Sequence, residues 1–144
     1  MQTDQPAQPA AARAVAVRPA SWPQVRPARL GVVHGGQLGV LIRPSELTAD
    51  RYGAALAGLP PPWWLHTDLD VLATGELAAV DYPQPGGLTW GQLAGLTATA
   101  LATDGCAGWS VCIYNPDLDP GRGGADAIIS YITEAITTSD QPAR

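Results

Sequence analysis

Between residues 63 and 138, apolar runs of strand length alternate with runs of helical periodicity. Residues 63–72 and 107–114 are the two apolar runs. Helices are predicted after them, at about 90–103 and 125–138, where apolar residues recur at helical spacing. Alternation of this kind predicts parallel strands joined by right-handed crossovers, with helices packed on the sheet. The chain is therefore predicted to belong to the α/β class.

Capping and turn residues mark the boundaries of these elements. Thr89 and Gln92 have the spacing of a capping box at the start of the second helix. Thr48 is a suitable N-cap for an earlier, shorter helix at about 49–58. Prolines at 60–62 exclude helix and deliver the chain into the first apolar run in an extended conformation.

The sequence divides into four segments. Residues 1–29, rich in Ala, Pro and Arg, are predicted to be a disordered or loosely attached arm. Residues 30–62 are expected to hold two short strands around a turn at His34, plus the short helix, and His34 itself is interpreted as a turn or surface residue. Residues 63–138 form the β-α-β-α segment, and residues 139–144 form a tail.

Charge and hydropathy exclude several classes of partner. The net charge is −5, and all eight basic residues are arginines that form no cluster, which argues against nucleic acid and anionic membranes. No apolar run approaches the ~20 residues of a membrane-spanning helix, and prolines and arginines interrupt the N-terminus where a secretory signal would need an apolar core. The expected location is the cytoplasm.

The two cysteines are not predicted to pair with each other. Cys106 and Cys112 flank one predicted strand, and six residues of strand separate them by about 20 Å, which is too far for a disulfide. Reduced cysteines that serve in packing are the favoured interpretation.

The candidate site lies at the end of the first apolar run. Side-chain alternation in a strand would place His66, Asp68 and Asp70 on one face. Two close carboxylates repel each other unless a cation or water lies between them, so either a metal site or a hydrated strand end is open at this stage. Loops at 73–88 and 115–121 fall at the same edge of the sheet, where α/β proteins bind their ligands, and this favours the metal.

A second candidate for a cation lies in the later loop. Asp117 and Asp119 could hold a single Ca²⁺ or Mg²⁺ ion, but their spacing is not that of an EF-hand loop. A capped turn is the simpler interpretation.

Three separated motifs resemble one known family. They are HTDLDVL from His66, AVDYPQPGGLT from Ala79 and IYNPDLDP from Ile113. Together they resemble the C-terminal part of the arginase family, the ureohydrolases that include arginase, agmatinase and formimidoylglutamase. The resemblance covers about residues 62–138.

This resemblance implies a three-layer α/β fold around a parallel sheet, of which the chain would hold an incomplete C-terminal portion. It also implies hydrolysis of guanidino or amidino C–N bonds at two manganese ions that share a bridging hydroxide. Asp68 would bridge the two ions, Asp70 would complete the second, and the loop at 85–87 would shape the mouth of the site. A small guanidino compound would be the substrate.

The chain also departs from the family pattern. No motif in residues 1–62 matches those that supply the family's remaining ligands, and Ile113 stands where many arginases have a substrate-binding Glu. His66 is expected to pack or to support a ligand. We therefore expect a chain that is inactive or nearly so alone, either because it is truncated or because a complementing chain or a second copy completes its sheet. A non-enzymatic remnant that binds a partner through an open sheet edge is the alternative.

Overall fold

The structure is a computed structural model that describes residues 13–18, 29–34, 37–42, 47–83 and 85–140. These residues form five strands, three α-helices and two short 3₁₀ turns, the latter at Leu69–Val71 and Pro116–Leu118. The strands are β1 (Arg13–Arg18), β2 (Arg29–His34), β3 (Gln37–Ile42), β4 (Trp63–Asp68) and β5 (Cys106–Cys112). The helices are α1 (Ala49–Ala57), α2 (Trp90–Leu101) and α3 (Gly123–Ser139).

The strands form one mixed sheet in the order β3-β2-β1-β4-β5. Strands β1, β4 and β5 run parallel, which confirms the parallel pairing predicted for the two strands of the 63–138 segment. Strand β2 is antiparallel to both β1 and β3. His34 pairs with Gln37, so the two strands predicted around this turn are present as a hairpin.

Strand β1 corrects the prediction made for residues 1–29. Residues 13–18 are not a loose arm, because they pair with β2 on one side and with β4 on the other. Val15 and Val17 alternate with alanines there, and β-branched residues favour an extended chain. Residues 1–12 and 19–28 of this stretch lie outside the described residues.

The helix ends follow from the capping residues. The Thr48 hydroxyl accepts a hydrogen bond from the Arg51 amide at 3.2 Å and starts α1. At α2, the Thr89 hydroxyl accepts from the Gln92 amide, and the Gln92 side chain accepts from the Thr89 amide, at 3.2 and 2.9 Å. Both predicted N-caps are thus confirmed. Helix α3 begins two residues earlier than predicted.

A single layer of helices packs on one face of β4 and β5. Trp63, Leu65 and Thr67 point into this layer and are each 0 % exposed. The indole of Trp109 on β5 donates to the Thr67 hydroxyl at 3.0 Å and meets the ring of Tyr131 on α3 edge-on. None of the helices in the described ranges has the length and apolarity to cross a bilayer. The opposite face of the two strands, called the uncovered face below because none of these helices is placed on it, is only partly exposed: Trp64 is 38 % exposed and His66 is half-buried, while Asp68 at its end is 6 % exposed.

The first apolar run is a strand only as far as Asp68. A 3₁₀ turn follows at Leu69–Val71, and residues in such a turn advance by about 120° instead of alternating between two faces. The prediction that His66, Asp68 and Asp70 share one face is therefore wrong for Asp70. It is correct for His66 and Asp68, whose side chains are in contact.

Candidate metal site

The register of β4 and β5 brings polar side chains together on the uncovered face. Trp64 pairs with Gly108, His66 with Ser110, and Asp68 with Cys112. Since side chains alternate along a strand, these three pairs point to the same side of the sheet. The contrast within β4 is sharp: Trp63 is 0 % exposed on the helix side, and Trp64 is 38 % exposed on the other.

His66 is held at both ring nitrogens. Its Nε2 atom lies 2.9 Å from Oδ1 of Asp68, and its Nδ1 atom lies 2.8 Å from the hydroxyl of Ser110. The indole N–H of Trp64 donates to the same hydroxyl at 3.2 Å. For a neutral imidazole, Trp64 donates to Ser110, Ser110 donates to Nδ1, and Nε2–H donates to Asp68. The four side chains therefore form one continuous hydrogen-bonded chain.

Glycine at position 108 is necessary for this arrangement. A Cβ atom there would lie 2.2 Å from a ring carbon of Trp64, which is far inside contact distance. The indole of Trp64 therefore lies directly over the backbone of β5, and this position brings its N–H to Ser110.

Cys112 completes a group of three side chains that could ligate a metal. Its Sγ atom, one imidazole nitrogen of His66 and one carboxylate oxygen of Asp68 all lie within 4.8 Å of one another. Within the part of the chain that the structure describes, no other group of three or more His, Cys, Asp or Glu side chains meets this criterion. Both cysteines are free thiols, as predicted. Asp70 is not a member of the group.

Asp70 lies beside the loop at 73–88. Its side chain is buried, with the residue 5 % exposed, in the 3₁₀ turn that follows β4. Leu88 of the loop donates its amide to Val71 at 2.9 Å and accepts from the Ala73 amide at 2.9 Å. Gly87 packs so tightly that a Cβ atom would come within 2.4 Å of backbone atoms of Val71 and Leu72. The Pro-Gly-Gly loop is therefore fixed against the turn that carries Asp70.

The second loop joins the first through Asn115. Its side-chain amide donates to Asp81 at 2.6 Å, and its backbone amide donates to Ala79 at 2.9 Å. Its side-chain oxygen accepts from the Asp117 amide at 3.0 Å, which closes an Asx turn. The two loops thus meet at the carboxyl ends of β4 and β5, as the topology predicts.

Asp119 is a helix cap. Its carboxylate accepts hydrogen bonds from the Ala125 amide and the Tyr114 hydroxyl, both at 2.9 Å, at the N-terminus of α3. The backbone bond from Ala125 and further bonds from neighbouring groups hold the pKa of Asp119 below its usual range, although partial desolvation opposes them. The Asp119 carboxylate therefore holds the start of α3, and Asp117 contributes its backbone amide to the Asx turn.

Ile113, directly after β5, has an unusual backbone. Its φ angle is 68°, in the left-handed region, and it is 41 % exposed. A β-branched residue at positive φ is a genuine outlier, costing about 1–2 kcal/mol relative to ordinary backbone. Strain of this kind is commonly found beside functional sites.

Sequence reasoning missed Cys112 and Ser110. Both lie in the strand predicted at 107–114, but their partners depend on the register between β4 and β5. One signal was present: a single residue separates His66 from Asp68, and a single residue separates Ser110 from Cys112. In parallel strands, equal spacing lets two pairs align at once, but only the structure shows that they do.

The fold and the edge carboxylates define a class of protein, α/β domains that place ligand-binding loops at the carboxyl ends of parallel strands. More narrowly, the chain has part of the fold of arginase-type enzymes. Arginase from Bacillus caldovelox matches with a TM-score of 0.54 at 19% identity, over 66% of this chain and 31% of that one. Agmatine ureohydrolase of Thermoplasma volcanium matches with a TM-score of 0.54 at 18% identity, over 63% and 30%.

A third structure was determined with manganese. It is the formiminoglutamase of Trypanosoma cruzi, with a TM-score of 0.57 at 15% identity, over 65% of this chain and 32% of that one. No protein-family model and no curated protein sequence matches this chain. The resemblance expected from the motifs is thus confirmed at the level of the fold, and the chain spans about a third of the length of these structures.

The described residues do not fit a pair of manganese ions. Mn²⁺ prefers carboxylate, carbonyl and water oxygens in a roughly octahedral arrangement of about six ligands. The three-member group offers one carboxylate, one imidazole and one thiol, and Asp70 lies outside it. Two ions would need further oxygen ligands besides those of this group.

Proposed function

We propose that this chain provides part of an arginase-like hydrolase of guanidino or amidino C–N bonds, and that alone it does not catalyse hydrolysis. The fold supports the first half of the proposal. So do the positions of Asp68 and Asp70, at the end of a parallel strand and in the turn that follows it. In this proposal both carboxylates contribute to a manganese site that other residues complete.

One observation supports the proposal that the chain alone does not catalyse hydrolysis. In the described ranges, the group of potential metal ligands at the end of β4 contains a single carboxylate. A dinuclear site that lowers the pKa of a bridging water needs several anionic ligands to hold both ions. The described residues alone therefore supply too few ligands to hold two ions and the water that would attack the substrate.

The test is a hydrolysis assay with added Mn²⁺. Arginine, agmatine and formimidoylglutamate are incubated with the purified chain, and release of urea, formamide and ammonia is measured. We expect rates equal to those of the Asp68→Asn variant, which serves as the background. Turnover near the ~10 s⁻¹ typical of enzymes, abolished by that substitution, would overturn the proposal of inactivity.

A thermal shift with Mn²⁺ tests the contribution of the carboxylates. A ligand that binds only the folded state raises its stability by about 2.7 kcal/mol at one hundred times its Kd. We expect a small rise in Tm for the wild type and none for Asp70→Asn. Asp50→Asn, at an exposed helix position, is the matched control and should behave as the wild type. An equal rise in all three proteins would remove Asp70 from the site.

The alternative is a binding protein without catalytic activity. The position of β5 favours it, because this strand is last in the sheet order and pairs only with β4 in the described structure. An unpaired strand edge is a template for another chain. The partner would be a complementing polypeptide or a second copy. Sedimentation of the metal-free protein separates the two functions: a stable dimer that persists in Asp70→Asn supports binding, and a monomer does not.

A further inference from the structure

We propose that His66, Asp68 and Cys112 bind a single zinc-class divalent ion on the uncovered face of β4 and β5, with the fourth position open to water. The inference rests on the geometry of these three side chains. It holds whether or not the chain takes part in hydrolysis, although it shares Asp68 with the proposed manganese site.

The spacing of the donor atoms suits a tetrahedral ion. Zinc binds imidazole nitrogen and carboxylate oxygen at about 2.0–2.2 Å and thiolate sulfur at about 2.3 Å, so neighbouring ligand atoms lie roughly 3.3–3.8 Å apart. The three donor atoms here lie within 4.8 Å of one another, and Nε2 and Oδ1 are 2.9 Å apart. Small side-chain rotations are therefore enough to close the site around an ion.

The backbone holds the three ligands in place. His66 and Asp68 are two residues apart on one strand, and Cys112 is paired directly with Asp68 on the next. Sites on strands hold their side chains more precisely than sites on loops. No change in the register or in the main chain is required for binding.

A supporting hydrogen bond is already present at His66. Histidines that bind metals commonly donate their second ring N–H to a nearby acceptor, which fixes the tautomer. Nδ1 of His66 lies 2.8 Å from the Ser110 hydroxyl, which leaves Nε2 facing Asp68 and the group of donors. When Nε2 binds an ion, Nδ1–H donates to Ser110, whose oxygen also accepts from Trp64. In that pattern Asp68 binds the ion instead of accepting from Nε2–H.

The donor set selects the metal. Thiolate and imidazole ligands favour zinc, while Mg²⁺, Ca²⁺ and Mn²⁺ favour oxygen. Three protein ligands and one water form the usual arrangement of an open zinc site. His66 and Cys112 are partly exposed, so an ion can enter from solvent. The proposal gives His66 a direct role, which differs from the prediction that it only packs or supports a ligand.

The test measures metal binding directly, without substrate. Zinc is titrated against a competing chromophoric chelator, and Co²⁺ serves as a spectroscopic probe. We expect one ion per chain and a sulfur-to-cobalt charge-transfer band in the near ultraviolet. Cys112→Ser should abolish the band, and Cys106→Ser should retain it, because Cys106 lies on the same strand but outside the group. Circular dichroism of each variant confirms folding.

Two further variants distinguish a site built from three side chains from metal binding by Cys112 alone. His66→Gln should weaken zinc binding by at least a hundredfold. Ser110→Ala, which removes only the supporting acceptor, should weaken it by about 10–100-fold. Unchanged affinity in both variants, or a cobalt band that survives Cys112→Ser, would overturn the proposal. Asp70→Asn should leave zinc binding intact, so loss of the manganese shift and loss of the zinc site are distinguishable.

Discussion

Substitution of Gly87 by alanine tests how tightly the loop at 73–88 is fixed against the turn that carries Asp70. The added Cβ would lie 2.4 Å from the Val71 oxygen and the Leu72 carbonyl carbon, and 2.5 Å from the Ala73 nitrogen. All three are backbone atoms, so no side chain can rotate away. Since real Cβ contacts essentially never fall below 3.0 Å, the two segments must separate.

The distance by which the loop and the turn must move apart determines how much stability the substitution costs. Moving the Cβ from 2.4 to at least 3.0 Å lengthens the two hydrogen bonds that join Leu88 to Val71 and Ala73, both now 2.9 Å, towards the limit of hydrogen bonding. Each bond contributes about 0.5–1.5 kcal/mol, and overpacking of this kind costs about 1–3 kcal/mol. We expect Gly87→Ala to lower the free energy of unfolding by about 1–3 kcal/mol.

Urea denaturation followed by circular dichroism measures this change. The matched control is Gly95→Ala in α2, where an added Cβ meets nothing within 4 Å. Because alanine favours helix over glycine, this control should be more stable than the wild type by about 0.5–1 kcal/mol. A Gly87→Ala variant as stable as the wild type would refute the close packing of loop and turn.

Three other changes probe different parts of the molecule. Asp119→Asn should be less stable than the wild type at neutral pH, and the difference should vanish as acid protonates the wild-type carboxylate. The reason is that a carboxyl group whose pKa is lowered by folding stabilises the folded state above its unfolded-state pKa, and this stabilisation is lost as the pH falls through the folded-state pKa. Urea midpoints measured across the acidic range check this. Ile113→Gly relieves the backbone at φ 68° and should raise stability by up to about 1 kcal/mol, while Ile113→Ala should not; equal midpoints would contradict the strain. Trp63→Ala should cost about 3–5 kcal/mol and Trp64→Ala clearly less, since only the first is fully buried; a larger loss for Trp64→Ala than for Trp63→Ala would contradict the difference in burial between the two rings.

Local signals carried most of the fold prediction for residues 47–140. The capping residues Thr48 and Thr89 located two helix starts, because a side-chain oxygen near free amides is a local requirement. Strand β1 was not predicted because two valines alternating with alanines are a short pattern inside a stretch rich in Pro, Ala and Arg. Its place in the sheet depends on pairing with β4, which lies 45 residues or more along the chain. Pairing between strands so far apart in the sequence cannot be predicted from a short segment of it.

The candidate site was predictable only where it follows the chain. Asp68 and the loops could be assigned to the sheet edge because strand ends fix their location. The predicted face of Asp70 was wrong because the strand changes to a 3₁₀ turn at Leu69. No glycine or proline in the run indicates that change. Cys112 joined the site through register alone, since a shift of one residue would have turned its side chain to the helix side.

The uncovered face of β4 and β5 constrains what can occupy it. Parallel strands in α/β proteins are usually apolar on both faces, because helices cover both. The two strands here are apolar only towards the helices, and the other face carries Trp64, His66, Asp68, Ser110 and Cys112. An apolar layer placed over that face would remove the polar groups from water, at about 1–3 kcal/mol for each one left without a partner. Water or an ion meets their requirements at lower cost, so a partner chain is expected to add along the edge of β5 and leave this face to the metal.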